Sequence, residues 1–251
     1  PGVLPVFNKE AARMAVKFGL AIGAKINRRS VFARKNYFYP DIPKGYQITQ
    51  YKYPLVEGGA IAGVALTRIH LEEDTGSSRH DAGDYSLVDY NRAGVPLMEL
   101  VTEPVIHDAT TAMNFAKELQ LLLRYLGASD ANMEKGEMRV EANISISETE
   151  TFGTKVEVKN LNSFKSVGDA IAYELKRQEE VLSRGEKVVQ ETRGWDENKG
   201  KTFSQRKKES ANDYRYFPDP DLPKMVVTEV FGKAYEKLPA LPELPWEKRA
   251  R

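Results

Sequence analysis

Three stretches of the chain repeat apolar residues at the spacing of one helix face. The first predicts a helix over about 8–24, opened by an asparagine of the type that caps helices. The second predicts a helix over 108–126, closed by Gly127, and the third a helix over about 167–184 that stops at Gly185. Because each stripe covers one side only, we expect these helices to pack against another layer of structure.

Other stretches alternate apolar and polar residues, which is the pattern of a strand with one buried face. Residues 136–147 and 154–160 both alternate, with a turn near 151–153 between them, and together they predict a hairpin. Further strand-like patterns cover 30–56, 65–73, 85–90, 95–102 and 186–195. The series predicts an α+β fold, a mainly antiparallel sheet with helices packed on one face.

The composition is that of a globular protein without disulfides or thiol chemistry. The chain of 251 residues can bury a substantial core, and it contains no cysteine. No apolar run approaches the ~20 residues that cross a bilayer, so we expect a cytoplasmic or organellar protein with no membrane partner. We expect 1–251 to hold a single domain over about 1–240, followed at about 240–251 by the start of a connection to a further domain.

Charge is distributed unevenly, although the net charge is only +1. The first fifty residues hold nine Lys and Arg against two acids, whereas the next hundred hold eight against seventeen. A basic segment beside an acidic one suits an anionic substrate that approaches a metal-holding pocket. Solvated surface charge without a partner explains the same distribution, and composition does not decide between them.

The polar face of the predicted hairpin is a candidate binding surface. On one strand it carries Arg139, Glu141 and Asn143, and on the other Lys155, Glu157 and Lys159. These side chains either form cross-strand ion pairs, at roughly 0.2–1 kcal/mol per pair, or form an active-site floor. In the second case the cations hold phosphate oxygens and Glu141 holds a metal, while Asn160 and Asn162 add neutral hydrogen-bonding groups.

A second candidate is the segment TRIHLEEDTG at 67–76. On a strand Glu72 shares the polar row of His70, whereas Glu73 ends the apolar row of Ile69 and Leu71. An acid at the end of an apolar row is the more unusual of the two, so Glu73 is favoured over Glu72 as a buried metal ligand. Mg²⁺ suits such a site, because it binds through one or two carboxylates together with substrate phosphates. A single histidine more often has a structural role, and we expect this of His70.

Two basic segments with aromatic neighbours complete the candidates. Lys35 and Lys44 flank an aromatic and proline segment that can fix both ammonium groups. Arg215 lies between two tyrosines that can stack its guanidinium and aim it at a phosphate or carboxylate. Nucleic-acid binding and a core-packed loop with solvated charges are the alternatives. No P-loop and no GxGxxG motif occurs, so ATP binding of those two kinds is excluded.

Long segments of the chain resemble, in order, the motifs of the B subunit of the glutamyl/aspartyl-tRNA(Gln/Asn) amidotransferase. They are RKNYFYPDIPKGYQITQY, TRIHLEEDTG, DYSLVDYNRAGVPLMELVTEP, RYLGASDANMEKGEMRVEANISI, GTKVEVKNLNSFKSV, RQEEVLSRGEKVVQETRGWDE and DYRYFPDPDLP. The matches cover nearly the whole chain. Ordered matches of this length are far more specific than a short motif.

The resemblance implies an ATP-dependent carbon–nitrogen ligase with a glutamine-synthetase-like cradle. Such an enzyme uses ATP and Mg²⁺ to phosphorylate the side-chain carboxylate of Glu or Asp on a misacylated tRNA. Ammonia then displaces the phosphate, after release from glutamine by the A subunit (a glutaminase) and passage through a channel. The partners implied are therefore the A subunit, a small C subunit and the tRNA.

The resemblance also implies roles for particular residues. Lys35 and Lys44 match positions of the channel and acyl-phosphate site, and Glu73 matches a position of the Mg²⁺ site. Positions of the cradle floor are matched by Arg139, Glu141 and Asn143.

Three departures qualify the resemblance. Glu141 stands where Asp is more common in the family, and the family's first strand, with a Glu-x-His pair that completes the metal site, should precede Pro1. Helical and tail domains that bind the tRNA should follow Arg251. The alternative function is a tRNA- or RNA-binding module without catalysis, favoured by the basic first fifty residues.

Overall fold

The computed structural model describes residues 4–79, 84–207, 214–232 and 241–251. The chain divides into two compact units, here called unit 1 and unit 2. Unit 1 comprises Pro1–Pro104 and Asp213–Arg251, and unit 2 comprises Val105–Asn212. Both mix helices with mainly antiparallel strands, as an α+β protein should. The prediction of a single domain over about 1–240 stays a prediction, because two compact units can be lobes of one domain.

Helices and strands are numbered here along the described residues. The first part of unit 1 contains α1 (Lys9–Ala21), β1 (Lys25–Ile26), β2 (Arg29–Ser30), β3 (Ala33–Asn36), β4 (Tyr46–Thr49), β5 (Val56–Glu57), β6 (Ala60–Ile61), β7 (Val64–Glu73), β8 (Ser77–Arg79), β9 (Leu87–Asp89) and β10 (Pro96–Thr102). Unit 2 contains α2 (Ala109–Tyr125), β11 (Val140–Ile144), β12 (Val156–Leu161), α3 (Phe164–Ser183), β13 (Glu191–Asp196) and β14 (Lys201–Lys207). The chain returns to unit 1 with β15 (Phe217–Pro218), β16 (Met225–Val226), α4 (Val227–Phe231) and α5 (Pro245–Arg249).

The core of unit 1 lies between α1 and a sheet of strand order β1-β5-β7-β10, in which β6 also pairs with β7. The predicted first helix is confirmed: the side chain of Asn8 accepts a hydrogen bond from the Ala11 amide at 3.0 Å. Helix and sheet approach closely at Gly19, where a Cβ atom would lie 2.8 Å from side-chain carbons of Ile26 and Val56. A larger residue at this position would therefore push the helix from the sheet.

A smaller sheet, β15-β3-β4, joins the returning segment of unit 1 to its first part. Arg34 on β3 fastens this segment, with Nε 2.8 Å from Asp219 Oδ2 and Nη2 3.0 Å from Asp221 Oδ2. The side chain of Asp219 is fully buried, and the guanidinium of Arg34 also lies over the ring of Tyr46, 4.2 Å from its centre. This clamp holds 214–222 against β3.

Unit 2 is a sheet of order β11-β12-β13-β14, with α3 packed on it and α2 packed on α3. The predicted hairpin is confirmed by the antiparallel pairing of β11 with β12. One pair, β12 with β13, is parallel, because α3 crosses over between these two strands. The strand predicted over 186–195 begins later, at Glu191.

The ends of the two unit 2 helices follow local sequence signals. Asp108 caps α2, and Gly127 and Gly185 take φ values of 63° and 74° just after α2 and α3, as predicted for their C-terminal ends. α3 begins three residues before the predicted Val167, because the Ser163 side chain caps it by accepting the Ser166 amide at 3.0 Å.

A buried ionic network ties α3 to β13 and β14. The carboxylate of Glu174 is fully buried, accepts hydrogen bonds from Arg177 at 2.5 to 3.1 Å, and lies 3.7 Å from the guanidinium of Arg193. The hydroxyl of Thr202 and the amide of Gln178 donate to the same carboxylate at 3.1 and 3.0 Å. Several donors therefore compensate the desolvation of one buried acid.

Of the helices within the described residues, none has the length and apolar character needed to cross a membrane.

Candidate active site

Three side chains at the β7 and β10 strands of unit 1 form a cluster with the chemistry of a metal site. They are His70, Glu72 and Glu99, and one potential ligand atom from each lies within 4.8 Å of the others. The two strands bring them together, since His70 and Glu72 share one face of β7 and Glu99 is the cross-strand partner of His70. Two carboxylates and an imidazole are a donor set that fits a divalent cation.

The two members of the cluster on β7 are shielded from solvent, whereas the member on β10 is partly exposed. His70 is buried and its Nε2 lies 3.6 Å from Glu72 Oε2 and 3.8 Å from Glu99 Oε2, while the Glu99 side chain is 47% exposed. Arg68 Nε approaches His70 Nδ1 at 3.4 Å, which assigns the proton of a neutral ring to Nε2. A cation bound at Nε2 would require this proton to move to Nδ1, at the expense of the hydrogen bond from Arg68.

Glu72 is held in its charged form. Burial on its own would raise the pKa of Glu72, but the hydrogen bond to His70 and the charges of His70 and Lys35 outweigh it. With a further hydrogen bond from the Thr49 hydroxyl at 3.1 Å, they keep the pKa of Glu72 below its ordinary value. The carboxylate is therefore available to a cation without prior loss of a proton.

The neighbouring acid, Glu73, has different partners. Its Oε1 accepts hydrogen bonds from Lys44 Nζ at 2.5 Å and from the Ile48 amide at 2.9 Å. The sequence pattern favours Glu73 over Glu72 as the metal ligand, and this role stays a prediction. To bind a cation, Glu73 would have to give up its ion pair with Lys44, whereas Glu72 already lies beside a second carboxylate, that of Glu99.

A surface pocket of about 140 Å³ opens beside the Lys44–Glu73 pair. The loop between β3 and β4 forms one wall with Asp41, Ile42 and Pro43, and the end of β7 with Gly94 forms the other. The ion pair thus lies at the wall of a cavity large enough for a small substrate group.

Lys35, on β3, lies among aromatic rings. Its Nζ is 4.9 Å from the ring centre of Tyr214 and 5.4 Å from that of Tyr37, and its charge contributes to the lowered pKa of Glu72. The two lysines predicted from the sequence therefore serve different acids, Lys35 acting on Glu72 and Lys44 on Glu73.

Arg215 lies between Tyr214 and Tyr216 and has a left-handed backbone conformation, with φ of 45°. The Asn36 side-chain amide fixes it, donating to the carbonyls of Tyr214 and Arg215 at 3.0 and 2.9 Å. The Arg215 side chain itself is exposed. Its proposed contact with a phosphate stays a prediction.

The remaining candidates lie in unit 2, on β11 and β12 or just beyond them. Asn143 pairs with Glu157 across the hairpin, and Lys159 Nζ lies 3.0 Å from Glu141 Oε1 and 3.8 Å from Glu157 Oε1. The ion-pair alternative therefore describes Glu141 and Lys159, both partly exposed. At such exposure each pair contributes less than about 1 kcal/mol.

Arg139, Lys155, Asn160 and Asn162 are exposed in unit 2. Asn160 has a φ of 64° at the point where the register of β11 and β12 shifts, so the alternation of faces predicted for β12 is interrupted there. The binding roles of these residues, and of Glu141 as a metal ligand, stay predictions.

The sequence does not predict that two members of the unit 1 cluster, Glu99 and His70, belong to the site. Glu99 is visible there only as part of a strand, because nothing in one sequence reveals that β10 pairs with β7 in this register. His70 is expected to be structural, whereas the geometry gives it two carboxylate neighbours. The sequence signal that could have identified Glu99 is its position as a single acid in an otherwise apolar strand, PLMELV.

Comparisons with known proteins give a consistent family. The model of the GatB/GatE catalytic domain family matches residues 1–233. A curated protein from Thioalkalivibrio sulfidiphilus (strain HL-EbGR7), named as the B subunit of aspartyl/glutamyl-tRNA(Asn/Gln) amidotransferase, is 54% identical over all of this chain and 55% of its own length. Proteins of the same name from Alkalilimnicola ehrlichii (strain ATCC BAA-1101 / DSM 17681 / MLHE-1) and Bdellovibrio bacteriovorus (strain ATCC 15356 / DSM 50701 / NCIMB 9529 / HD100) are 55% and 48% identical, again over the whole chain and 55% and 54% of their own lengths. The chain thus spans about half the length of the curated relatives it matches.

Proposed function

The chain belongs to the GatB/GatE catalytic domain family, and from this we propose that it is the catalytic part of an amidotransferase acting on misacylated tRNA. The proposed reaction converts Glu-tRNA(Gln) or Asp-tRNA(Asn) into the corresponding amide with consumption of ATP. Bacterial relatives support a cytoplasmic location, and the proposed fold is the family's glutamine-synthetase-like cradle.

The observation that carries the proposal is the pair of acids at the end of β7, each with its own lysine. Glu72, with His70 and Glu99, offers ligands for Mg²⁺, and Lys35 lies close enough to act on Glu72. Glu73 and Lys44 line the adjacent pocket. Phosphoryl transfer needs this combination, since catalysis depends on positioning and on neutralising spread negative charge.

In the proposed first step, a side-chain carboxylate oxygen of the substrate attacks the γ-phosphorus of ATP, and the bond from phosphorus to the bridging oxygen breaks to release ADP. Mg²⁺, when bound, supplies Lewis-acid stabilisation of phosphate oxygens. Glu72, Glu99 and His70 would hold it. The ammonium groups of Lys35 and Lys44 would orient the anionic groups and compensate their charge.

In the proposed second step, ammonia attacks the acyl carbon of the mixed anhydride, and phosphate leaves with the electron pair of the C–O bond. At the pocket wall, Glu73 is suited to accept the proton that the nitrogen loses, and the ammonium group of Lys44 is suited to orient the acyl phosphate. Glutamine, hydrolysed by an A subunit, is the proposed ammonia source, with a small C subunit as second partner.

The unit 2 residues complete the proposal. Arg139, Glu141 and Asn143 match the family's cradle floor, and Lys155, Lys159, Asn160 and Asn162 offer donors for phosphate oxygens, as does Arg215 in unit 1. The proposed roles of these residues are supported by the chemistry of their side chains and by the resemblance to the family's motifs.

The test uses the full-length protein assembled with its partners and supplied with Glu-tRNA(Gln), ATP and glutamine. We expect Gln-tRNA(Gln) to form, and the Glu72→Gln and Glu73→Gln variants to lower kcat/KM by about 100-fold or more. Glu57→Gln, an exposed acid of the same unit, is the matched control and should leave the rate unchanged. Absence of product from a well-assembled wild-type complex contradicts the assignment.

The alternative, a tRNA-binding module without catalysis, is favoured by the excess of Lys and Arg in the first fifty residues. It predicts that Glu73→Gln changes neither ATP consumption nor tRNA affinity. Loss of phosphoryl transfer with retained tRNA binding supports the enzyme instead.

A further inference from the structure

A continuous row of five tyrosine rings runs through unit 1 beside the candidate active site. Successive ring centres are 5.7, 5.9, 5.9 and 4.2 Å apart; the first three distances are typical of aromatic pairs, and the last is a close parallel stack. In order the rings belong to Tyr39, Tyr37, Tyr214, Tyr216 and Tyr51. Three come from the β3–β4 region and two from the returning segment, so the row exists only in the folded chain.

The last ring of the row presents an open face. Tyr51 and Tyr216 are stacked with an angle of 8° between their planes, and Tyr51 is 50% exposed. One face of Tyr51 is therefore covered by Tyr216 while the opposite face meets solvent. A further flat ring placed on that face would extend an existing stack.

The row is fixed before any ligand arrives. The Asn36 amide holds the carbonyls of Tyr214 and Arg215, and the Arg34 clamp on Asp219 anchors the chain just beyond Tyr216. Because the rings are already in place, a ligand would lose little free energy in ordering them.

The row also reaches the charged groups of the site. Burial, with the neighbouring Tyr214 and the carboxylate of Glu72, raises the pKa of Tyr216 to about 12, and Glu99 adds to this effect. Lys35 lies over the rings of Tyr37 and Tyr214. A ligand with one aromatic end on Tyr51 thus has cationic and metal-binding groups within the same part of unit 1.

We propose that the open face of Tyr51 is the stacking site for an adenine base, whose charged end extends toward Lys35 and the His70–Glu72–Glu99 cluster. Stacking on an aromatic face suits a purine, and Lys35 suits the phosphate that accompanies it. The inference rests on the proposed function, in which adenine reaches this site from two sources: ATP itself and the 3′-terminal adenosine of the tRNA.

The experiment measures binding to the full-length protein of four probes: ATP, tripolyphosphate, uncharged tRNA and the same tRNA without its terminal adenosine. The variants are Tyr51→Ala, which removes the ring, and Tyr51→Phe, which keeps it. Tyr53→Ala is the matched control, because Tyr53 is 57% exposed, two residues away, and makes no ring contact among the described residues. Thermal unfolding of each variant establishes that it is folded.

If ATP supplies the base, Tyr51→Ala weakens ATP binding by about 5- to 100-fold, and tripolyphosphate binding is unchanged. If the tRNA supplies it, the same loss appears for intact tRNA and not for tRNA without its terminal adenosine. In both cases Tyr51→Phe and Tyr53→Ala bind like the wild type.

The inference is overturned if Tyr51→Ala binds ATP and tRNA within twofold of the wild type, or if tripolyphosphate binding falls as much as ATP binding. A failure of the proposed function has another signature. The wild-type complex would then form no amidated tRNA, whether or not probe binding depends on the ring of Tyr51.

Discussion

Glu72 and Glu73 are adjacent in sequence, yet their carboxylates meet different groups. The strand places them on opposite sides, so Glu72 joins His70 and Glu99 while Glu73 joins Lys44. The sequence could predict that an acid of this segment belongs to a site, and that Lys35 and Lys44 accompany it. It could not predict which acid meets which group, since that depends on the pairing of β7 with β10 and on the path of the β3–β4 loop.

The charged state of Glu72 predicts a pH dependence of stability. A carboxyl group whose pKa is lowered in the folded protein stabilises it above the unfolded pKa, and this contribution disappears as pH falls through the lower, folded pKa. The ordinary value is 4.5, so Glu72→Gln should reduce the free energy of unfolding at pH 7. The difference from wild type should shrink as pH falls below about 4.5.

Urea unfolding at a series of pH values measures this difference. The Glu229→Gln variant, whose acid is exposed on α4, serves as the control for general charge effects. A Glu72→Gln difference that grows as the solution becomes more acidic would contradict the prediction.

At the scale of single elements, helix caps and crossover connections determine the helix boundaries and strand directions that sequence periodicity does not predict. All three predicted helices are confirmed, because their apolar stripes and terminal residues lie within the segments themselves. The predicted start of α3 is three residues late, because Ser163 resembles the polar end of the hairpin in sequence, whereas it is the helix cap. The parallel pairing of β12 with β13 depends on a crossover, which alternation within one strand does not reveal.

The cap predicts a measurable stability effect. Ser163→Ala removes the oxygen that accepts the Ser166 amide, and we expect a loss of about 1 kcal/mol in the free energy of unfolding. Ser163→Thr retains a capping hydroxyl and should recover most of it. Chemical denaturation of the two variants compares them, and equal stability of Ser163→Ala and wild type would mean that the cap contributes nothing.

The buried network under α3 predicts a larger effect. Glu174→Ala leaves Arg177 and Arg193 without their shared carboxylate, and removal of one partner from a buried ionic group costs about 3–5 kcal/mol. Glu180→Ala, on the exposed side of the same helix and 4.0 Å from Lys176, should change stability by less than about 0.5 kcal/mol. Unfolding free energies of both variants provide the comparison, and similar small losses would show that the network is not stabilising.

At the scale of the molecule, unit 2 is one continuous segment and unit 1 is made from two. The second part of unit 1 supplies β15 to pair with β3, the acids that bind Arg34, and two rings of the tyrosine row. Alternation and helical periodicity predict the elements of both units. They do not predict the discontinuity of unit 1, because it depends on contacts between residues far apart in sequence.

The division predicts the behaviour of fragments. Residues 105–212 contain the whole of unit 2, and we expect them to fold and unfold cooperatively alone. Residues 1–104 lack the partners of β3 and Arg34, and we expect them to lose at least about 3 kcal/mol of stability. Circular dichroism with urea titration tests both fragments, and a 1–104 fragment as stable as the whole chain would contradict the second expectation.

The Arg34 clamp also has a consequence during synthesis on the ribosome. Arg34 and Asp219 are 185 residues apart in the chain. At roughly 5–20 residues per second, the arginine emerges about 10–40 s before the acid that neutralises it. Throughout that interval the basic, tyrosine-rich segment around β3 is exposed on the nascent chain while unit 2 is already being completed, so the inserted unit has the time to fold before the unit whose two parts flank it in the sequence.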